Sequence, residues 1–264
     1  MEHISKSAIE KYINCGESYR RRYIVKEKTF TSSNLVFGIV FHSVIEQYIL
    51  QREAKRTTFD VLAHWSQTYK DSLTNFGTIM FDSSSPEEDE ETGLRMFSCP
   101  DLYQMLDDYK PGRMTWTDEE GEQEGPAIEM KLEFTVPGVE VPFIGYIDML
   151  CDDGIPLDFK TAGKKWSIDK AQKELQPAYY IPGLAQMGRP VPGNTFRHLV
   201  ITKGKSPSVT MWETQRSQQE IDWALKLAAI AYQGIEKSVF VPNPLSWSCS
   251  PSYCEFYTTC MGGE

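Results

Sequence analysis

The reading of this chain turns on Gly145-Tyr146-Ile147-Asp148-Met149-Leu150-Cys151-Asp152-Asp153-Gly154-Ile155-Pro156-Leu157-Asp158-Phe159-Lys160. A hydrophobic period of two predicts strands over 142–151 and 155–161, joined by Asp152-Asp153-Gly154, with Gly154 suited to a positive φ. A three-residue loop pairs Cys151 with Ile155, and counting back sets Asp148 opposite Asp158. Residues i and i+2 of a strand share a face, so Asp158 and Lys160 project together while Phe159 turns into the core. Two carboxylates about 5 Å apart across a strand pair repel each other. Either a bound divalent cation such as Mg²⁺ compensates them, as in metal-assisted attack on a phosphodiester, or Asp158 and Lys160 form a surface ion pair.

On the N-terminal side, Ile128 to Val136 reads as a further strand, with Glu129 in phase with Lys131 and Glu133. Residues 1–125 read as mainly helical. Ser5 or Ser7 caps a helix containing Ile9, Tyr12, Ile13 and Tyr19, and Leu35 to Leu50 is an apolar second helix. Phe59, Leu62, Trp65, Tyr69 and Leu73 mark a third, and Ser85-Pro86-Glu87-Glu88 is a capping box that opens a fourth. Asp118 to Gly125 reads as a polar loop. On the C-terminal side come a helical stretch over 167–187 interrupted by Pro177 and Pro182, strands over 196–202 and 208–212, and an amphipathic helix over 218–235. A helical half followed by βββαββα predicts an α/β fold with a helical elaboration. The expected organisation is one domain over 1–264: a helical part (1–125), an α/β core (126–240) and a Cys-containing tail (241–264).

The 264 residues suffice for a large core, and 41% hydrophobic with 24% charged residues is ordinary globular usage. No uninterrupted apolar run approaches the roughly 18 residues of a membrane span, and the N-terminus lacks the apolar region of a secretory signal. An intracellular, cytoplasmic protein without a membrane partner is expected. Six Cys are then poor candidates for a disulfide framework, and three crowd the last sixteen residues, which points to a metal site. The net charge of −10 is concentrated between Asp82 and Glu124, whose net is −11, leaving +1 elsewhere. Basic clusters at Arg20-Arg21-Arg22 and Lys160 to Lys165 are therefore candidates to face phosphates.

Asp148 followed by Asp158-Phe159-Lys160 resembles the core of the PD-(D/E)XK nucleases, and Gly145-Tyr146-Ile147-Asp148 with Asp158-Phe159-Lys160-Thr161 resembles their RecB-type branch. Gly38-x-x-x-His42-x-x-x-Glu46 and Gln176-x-x-x-Tyr180 match further motifs of that branch in the expected order. The resemblance implies a restriction-endonuclease-like core, a central mixed β-sheet flanked by helices. It also implies Mg²⁺ or Mn²⁺ held by Asp148, Asp158, His42 and the Phe159 carbonyl, with Lys160 orienting water or stabilising charge. Gln176 and Tyr180 would then lie near the DNA, and Glu129 would be the additional acidic residue found on this strand in many members. Without the resemblance, His42 and Glu46 could be an ordinary helical pair, Gln176 and Tyr180 packing residues, and Glu129 part of a solvated strand face.

Cys15 with Cys249, Cys254 and Cys260 resembles the iron–sulfur subset, which includes AddB-type and CRISPR-associated exonucleases. This implies a structural [4Fe–4S] cluster tying the chain ends together. Zn²⁺ on the same thiolates, or simply buried thiols, are the alternatives. The iron–sulfur members usually have two residues between the first of these C-terminal cysteines and the next, whereas this chain has four. Cys99 and Cys151 read as small core residues. The expected function is a metal-dependent DNA nuclease, an exonuclease acting on DNA with a free end or on single strands. It would serve repair, recombination or mobile-element processing, with a helicase or recombination partner. The alternatives are a non-catalytic DNA-binding or assembly subunit that keeps the fold, and endonucleolytic cleavage at a defined sequence.

Overall fold

The computed structural model describes residues 1–27, 29–56, 58–81, 84–119 and 121–261. Asp82 and Glu120 of the acidic stretch, and the last three residues of the tail, lie outside the described residues. Helices α1 (Lys6–Asn14) and α2 (Gly16–Tyr19) lead into a π-helical stretch at Arg20–Val25, and β1 (Thr31–Ser32) precedes the long α3 (Ser33–Glu53). Then come α4 (Val61–Asn75), β2 (Ile79–Met80), α5 (Pro86–Phe97) and α6 (Pro100–Asp108). A hairpin of β3 (Arg113–Asp118) and β4 (Gly121–Pro126) leads to β5 (Ile128–Phe134), β6 (Phe143–Leu150) and β7 (Pro156–Ala162). Helices α7 (Ile168–Lys173) and α8 (Gln176–Gln186), strands β8 (Thr195–Thr202) and β9 (Val209–Gln215), and helices α9 (Gln218–Glu236) and α10 (Tyr257–Cys260) complete the chain.

Strands β5 to β9 form one sheet in sequence order, antiparallel except for the β7–β8 pair. A parallel pair needs a crossover, which α7 and α8 supply. Apolar residues cover both faces. Helices α1, α8 and α9 bring Ile9, Leu184 and Ala228 to the layer of Leu132, Phe134 and Phe143. Helices α3 to α6 bring Phe41, Trp65, Phe97 and Leu102 to the layer of Met149, Leu157, Phe159 and Leu199. This is the α/β arrangement read from the sequence, a mixed sheet flanked by helices with a helical N-terminal elaboration. The caps form as their chemistry dictates: Ser5 accepts from the Ala8 N–H, and both arms of the box are made at Ser85/Glu88 and at Ser217/Glu220.

Three elements differ from the sequence expectation. Cys15 is extended, so the first helix stops there and Tyr19 belongs to α2. The second helix runs from Ser33 to Glu53 and is long and apolar enough, by length and composition, to cross a membrane. Polar residues interrupt its apolar runs, and Val36, Phe37, Val40, Phe41, Val44, Ile45 and Ile49 are buried in the core. The polar loop expected over 118–125 is largely the β3–β4 hairpin. Gly121-Glu122-Gln123-Glu124-Gly125 has no apolar residue to mark a strand period, so only its backbone pairing reveals it.

Helix α8 packs tightly on β5 at Gly183, where a Cβ would come within 2.6 Å of Phe134 Cδ1 and 3.0 Å of Leu132 Cδ1. Gly183→Ala gains about 1 kcal/mol of helix propensity but overpacks a core contact, typically a loss of about 1–3 kcal/mol. A net fall in melting temperature is expected; a rise would show that α8 is not seated on β5 this tightly.

Candidate active site

The β6–β7 loop closes as its length requires. The Cys151 N–H donates to the Ile155 carbonyl (3.0 Å), the Gly154 N–H donates to the Cys151 carbonyl (2.9 Å), and Gly154 has φ +79°. Leu150 pairs with Pro156 and Met149 with Leu157. One residue further, that register sets Asp148 opposite Asp158, but there the ladder ends. The Phe159 N–H donates to Asp148 Oδ2 (2.7 Å), while β7 continues in parallel pairing with β8. Strand β5 pairs Ile128 with Met149 and Met130 with Ile147, which sets Glu129 opposite Asp148; β7 pairs Asp158 with His198. Glu129, Asp148, Asp158 and His198 therefore form one row across the sheet.

Glu129 has a left-handed φ of +46°, rare for a residue with a side chain and strained by about 1–3 kcal/mol. Beside it, Ile128 and Met130 join opposite hydrophobic layers, as do Met149 and Ile147 opposite them. The strand pair rolls over at Glu129 and Asp148, and this separates Glu129 from the exposed ion pair of Lys131 with Glu133 (2.6 Å). Burial, reinforced by Asp148, Glu46 and Asp158, pushes the Glu129 carboxyl up to about 7. Burial and the Asp158 charge push Asp148 up to about 6.

Asp158 behaves oppositely. Burial penalises its charge, but Lys160 beside it outweighs that and holds the carboxyl below its usual range. Lys160 is likewise held above its usual range, because Asp158 and Asp148 overcome its own burial. The ion pair considered from the sequence thus exists, but Asp158 is only 3% exposed, so it is not a surface pair. Lys160 Nζ and Gln176 Nε2 both donate to Asp158 Oδ1, at 3.0 and 2.7 Å, and Gln176 Oε1 accepts from Lys160 (3.2 Å). Lys160 Nζ also lies 2.8 Å from Asp158 Oδ2, but not in line for a hydrogen bond, so that buried oxygen lacks an aligned donor.

Helix α3 presents His42, whose Nδ1 is 3.4 Å from Asp148 Oδ2, to the same row. Among the described residues His42 forms no ion pair with Glu46, whose carboxyl burial raises. Tyr180, one turn beyond Gln176, packs on Gly145: a Cβ there would stand 2.8 Å from its hydroxyl. It has no hydrogen bond to Asp148, Asp158 or Lys160 among the described residues. His198, which the sequence reading missed, is fully buried and packs against Phe196 (4.9 Å between centroids) and Trp166 (5.7 Å). Burial lowers it to about 4, so it is a neutral wall beside Asp158. A histidine at an inward position of a core strand gives no sequence signal beyond its parity.

The raised Glu129 and Asp148 carboxyls, together with the undonated Asp158 oxygen, leave this row short of positive charge. Oxygen donors with one imidazole suit a hard divalent cation. As the side chains stand, no group of three or more His, Cys, Asp or Glu among the described residues is drawn together closely enough to hold an ion. Lys160 supplies positive charge against Asp158.

At the chain ends, Cys15, Cys249, Cys254 and Cys260 all line one cavity of about 740 Å³. All four are free, partly exposed thiols, whereas Cys99 and Cys151 are buried in the core, as read from the sequence. The Gly16 N–H donates to the Val241 carbonyl (3.0 Å), Lys11 and Arg22 pair with Glu255 (2.8 and 3.0 Å), and Cys15 Sγ accepts from the Asn243 N–H (3.4 Å). The arginine cluster expected to face phosphates is neutralised: Arg20 and Arg21 pair with Glu17, Arg21 also with Glu27, and Arg22 with Glu255. Hydrogen bonds from Arg20 and Arg21, opposed by burial, hold the Glu17 carboxyl below its usual range.

The model of the PD-(D/E)XK nuclease superfamily matches residues 3–261 of this chain. Among solved structures, a candidate exonuclease from Eubacterium rectale is similar at 13% identity over 92% of this chain and 84% of that one, with a TM-score of 0.49. SSO0001 is similar at 14% identity over 98% of this chain and 96% of that one, with a TM-score of 0.35. No curated protein matches the sequence.

A carboxyl that titrates higher in the folded state than in the unfolded one stabilises the fold at low pH, and that stability is lost as pH rises through the folded value. For Asp148 and Glu129 the loss runs up to about 6 and about 7. In metal-free protein, Asp148→Asn and Glu129→Gln are each expected to raise the melting temperature by a few degrees at about pH 8 and by less at about pH 5. Equal effects at both pH values would mean that the row is not charge-crowded.

Proposed function

The chain belongs to the PD-(D/E)XK nuclease superfamily, and on that basis we propose that it is a divalent-metal-dependent deoxyribonuclease, an exonuclease of the RecB type. Its mixed sheet with flanking helices is a restriction-endonuclease-like core. The observation that carries the reading is the row of Glu129, Asp148 and Asp158, with Lys160 held against Asp158 by Gln176.

Members of the superfamily typically use Mg²⁺ or Mn²⁺, which Asp148, Asp158, His42 and the Phe159 carbonyl would hold. Such a cation, when bound, supplies positive charge to the attacking and leaving oxygens. Lys160 stays protonated beside two carboxylates, so its part is to donate to a non-bridging phosphate oxygen as negative charge grows there, not to act as a base. Glu129, which titrates near neutrality, is the carboxylate suited to take the proton from the attacking water. The water oxygen bonds to phosphorus as the P–O3′ bond opposite it breaks, and the departing 3′ oxygen takes up a proton from solvent. Gln176 fixes the angle between Lys160 and Asp158, and His42 orients Asp148 from the helical side.

The four thiols around one cavity support placing the protein with the iron–sulfur members. Four thiolates are the usual shell of a [4Fe–4S] cluster, and tetrahedral Zn²⁺ takes the same set. A cluster here would reinforce a junction of chain ends already made by hydrogen bonds and ion pairs, so its role is structural. We place the activity inside the cell, on free-ended or single-stranded DNA, in repair, recombination or mobile-element processing with a helicase-type partner.

End-labelled single- and double-stranded DNA, incubated with Mg²⁺, Mn²⁺ or EDTA, tests the activity. Products released progressively from an end in the metal reactions alone are expected. Asp158→Ala and Lys160→Ala should each lower cleavage at least about 100-fold, and the double variant little further, because the residues act as one unit. A folded Lys160→Ala with near wild-type cleavage would contradict the mechanism. Anaerobically purified protein should be brown and absorb near about 400 nm. Cys15→Ser should lower iron content and melting temperature together, whereas a colourless protein with one equivalent of zinc would replace the cluster with a zinc site.

A further inference from the structure

Positive charge on this acidic chain is neutralised in one place and left free in another. The three arginines at 20–22 are all paired with glutamates. Residues 160–173 carry five lysines against Asp169 alone, and among the described residues only Lys160 of the five is in an ion pair. Strand β7, having supplied Asp158 and Lys160, runs out into a hollow of about 500 Å³. Lys164, Lys165 and Lys170 line it together with Thr161, Trp166 and Ser167, and no carboxylate does.

The hollow is braced against the carboxylate row. Trp166 is buried in its floor, with Lys170 Nζ 4.3 Å from the centre of its ring and the His198 ring 5.7 Å away. His198 is the residue registered with Asp158 on β8. The Lys203 N–H donates to the Ala162 carbonyl (2.9 Å), which brings the β8–β9 turn and the exposed Lys205 alongside. Four residues of extended chain span at most about 14 Å, so the Lys164 Cα lies within that distance of the Lys160 Cα.

We infer that this hollow is a phosphate subsite that holds the backbone of the substrate strand beyond the bond being cut. This rests on the nuclease reading above. Lysine ammonium groups and hydroxyls bind phosphate oxygens, while Trp166 is too buried to offer a stacking face to a base, so the subsite grips any sequence. On a chain of net charge −10, such a local concentration of positive charge favours the approach of a polyanionic substrate.

The test is binding of a fluorescent single-stranded oligodeoxynucleotide by the full chain in EDTA across a salt series, followed by cleavage kinetics with Mn²⁺. Lys164→Gln/Lys165→Gln/Lys170→Gln should weaken binding about tenfold or more and reduce the slope of log affinity against log salt by about 2, since each single-strand phosphate contact contributes about 0.7. In cleavage it should raise KM while leaving kcat within about twofold. Lys164→Arg/Lys165→Arg/Lys170→Arg should retain the slope, and Arg20→Gln/Arg22→Gln should not alter it. A glutamine variant with wild-type affinity and slope overturns the inference. Wild-type protein that binds through these lysines but cuts nothing overturns the nuclease reading alone, and wild-type protein that does neither overturns both.

Discussion

The site depends on where β7 parts from β6. After two residue pairs the β6 ladder ends while the pairing with β8, already made at Leu157, continues, and the Phe159 N–H that an unbroken ladder would give to a backbone carbonyl goes to the Asp148 carboxylate. That bond fixes Asp148 beside the position where Asp158 emerges. A continuous β-hairpin would have kept the register and lost the opening. The consequence is a crowd of acids that the protein cannot neutralise with hydrogen bonds alone. Lys160 and Gln176 answer for Asp158, and elevated proton affinity answers for Asp148 and Glu129. Natural folds tolerate such crowding where the missing charge arrives with a ligand.

The surrounding elements hold this arrangement in place. Pro177 has no N–H to lose in the first turn of α8, so the helix starts at Gln176 and presents that side chain to Asp158 and Lys160. Helix α3 buries one side in the core and brings His42 to Asp148 on the other. Among the described residues nothing outside the helix's own backbone lies within 4 Å of where a Gly38 side chain would begin, one turn before His42, so the approach on that side is open.

Much of this was legible in the sequence because it rests on counting. A tight loop with Gly154 at its end sets the first pairs of the hairpin, and counting on from them brings Asp148 level with Asp158, where the ladder itself ends. The capping box at Ser85 and the apolar spacing of α3 and α4 marked their helices for similar local reasons. The parts that were not legible depend on contacts distant in sequence or on the backbone alone. Glu129 reads as a partner of Lys131 and Glu133 until a left-handed φ turns the strand over. His198 joins the row only through the crossover that pairs β8 with β7. The arginines at 20–22 look available for phosphate until Glu255, more than 200 residues away in sequence, returns to meet Arg22. The hairpin of β3 and β4 has no hydrophobic alternation because its second strand buries almost nothing.

The most direct measurement of the central claim, that the crowded row binds a divalent cation, is anomalous diffraction from crystals grown with Mn²⁺. The account expects one strong anomalous peak at the row, held by Asp148 and Asp158 with the Phe159 carbonyl and His42. Lys160 should then be released from the Asp158 oxygen facing the metal and still held by Gln176. No peak at the row, with the Lys160 contacts to Asp158 intact at saturating Mn²⁺, would contradict it.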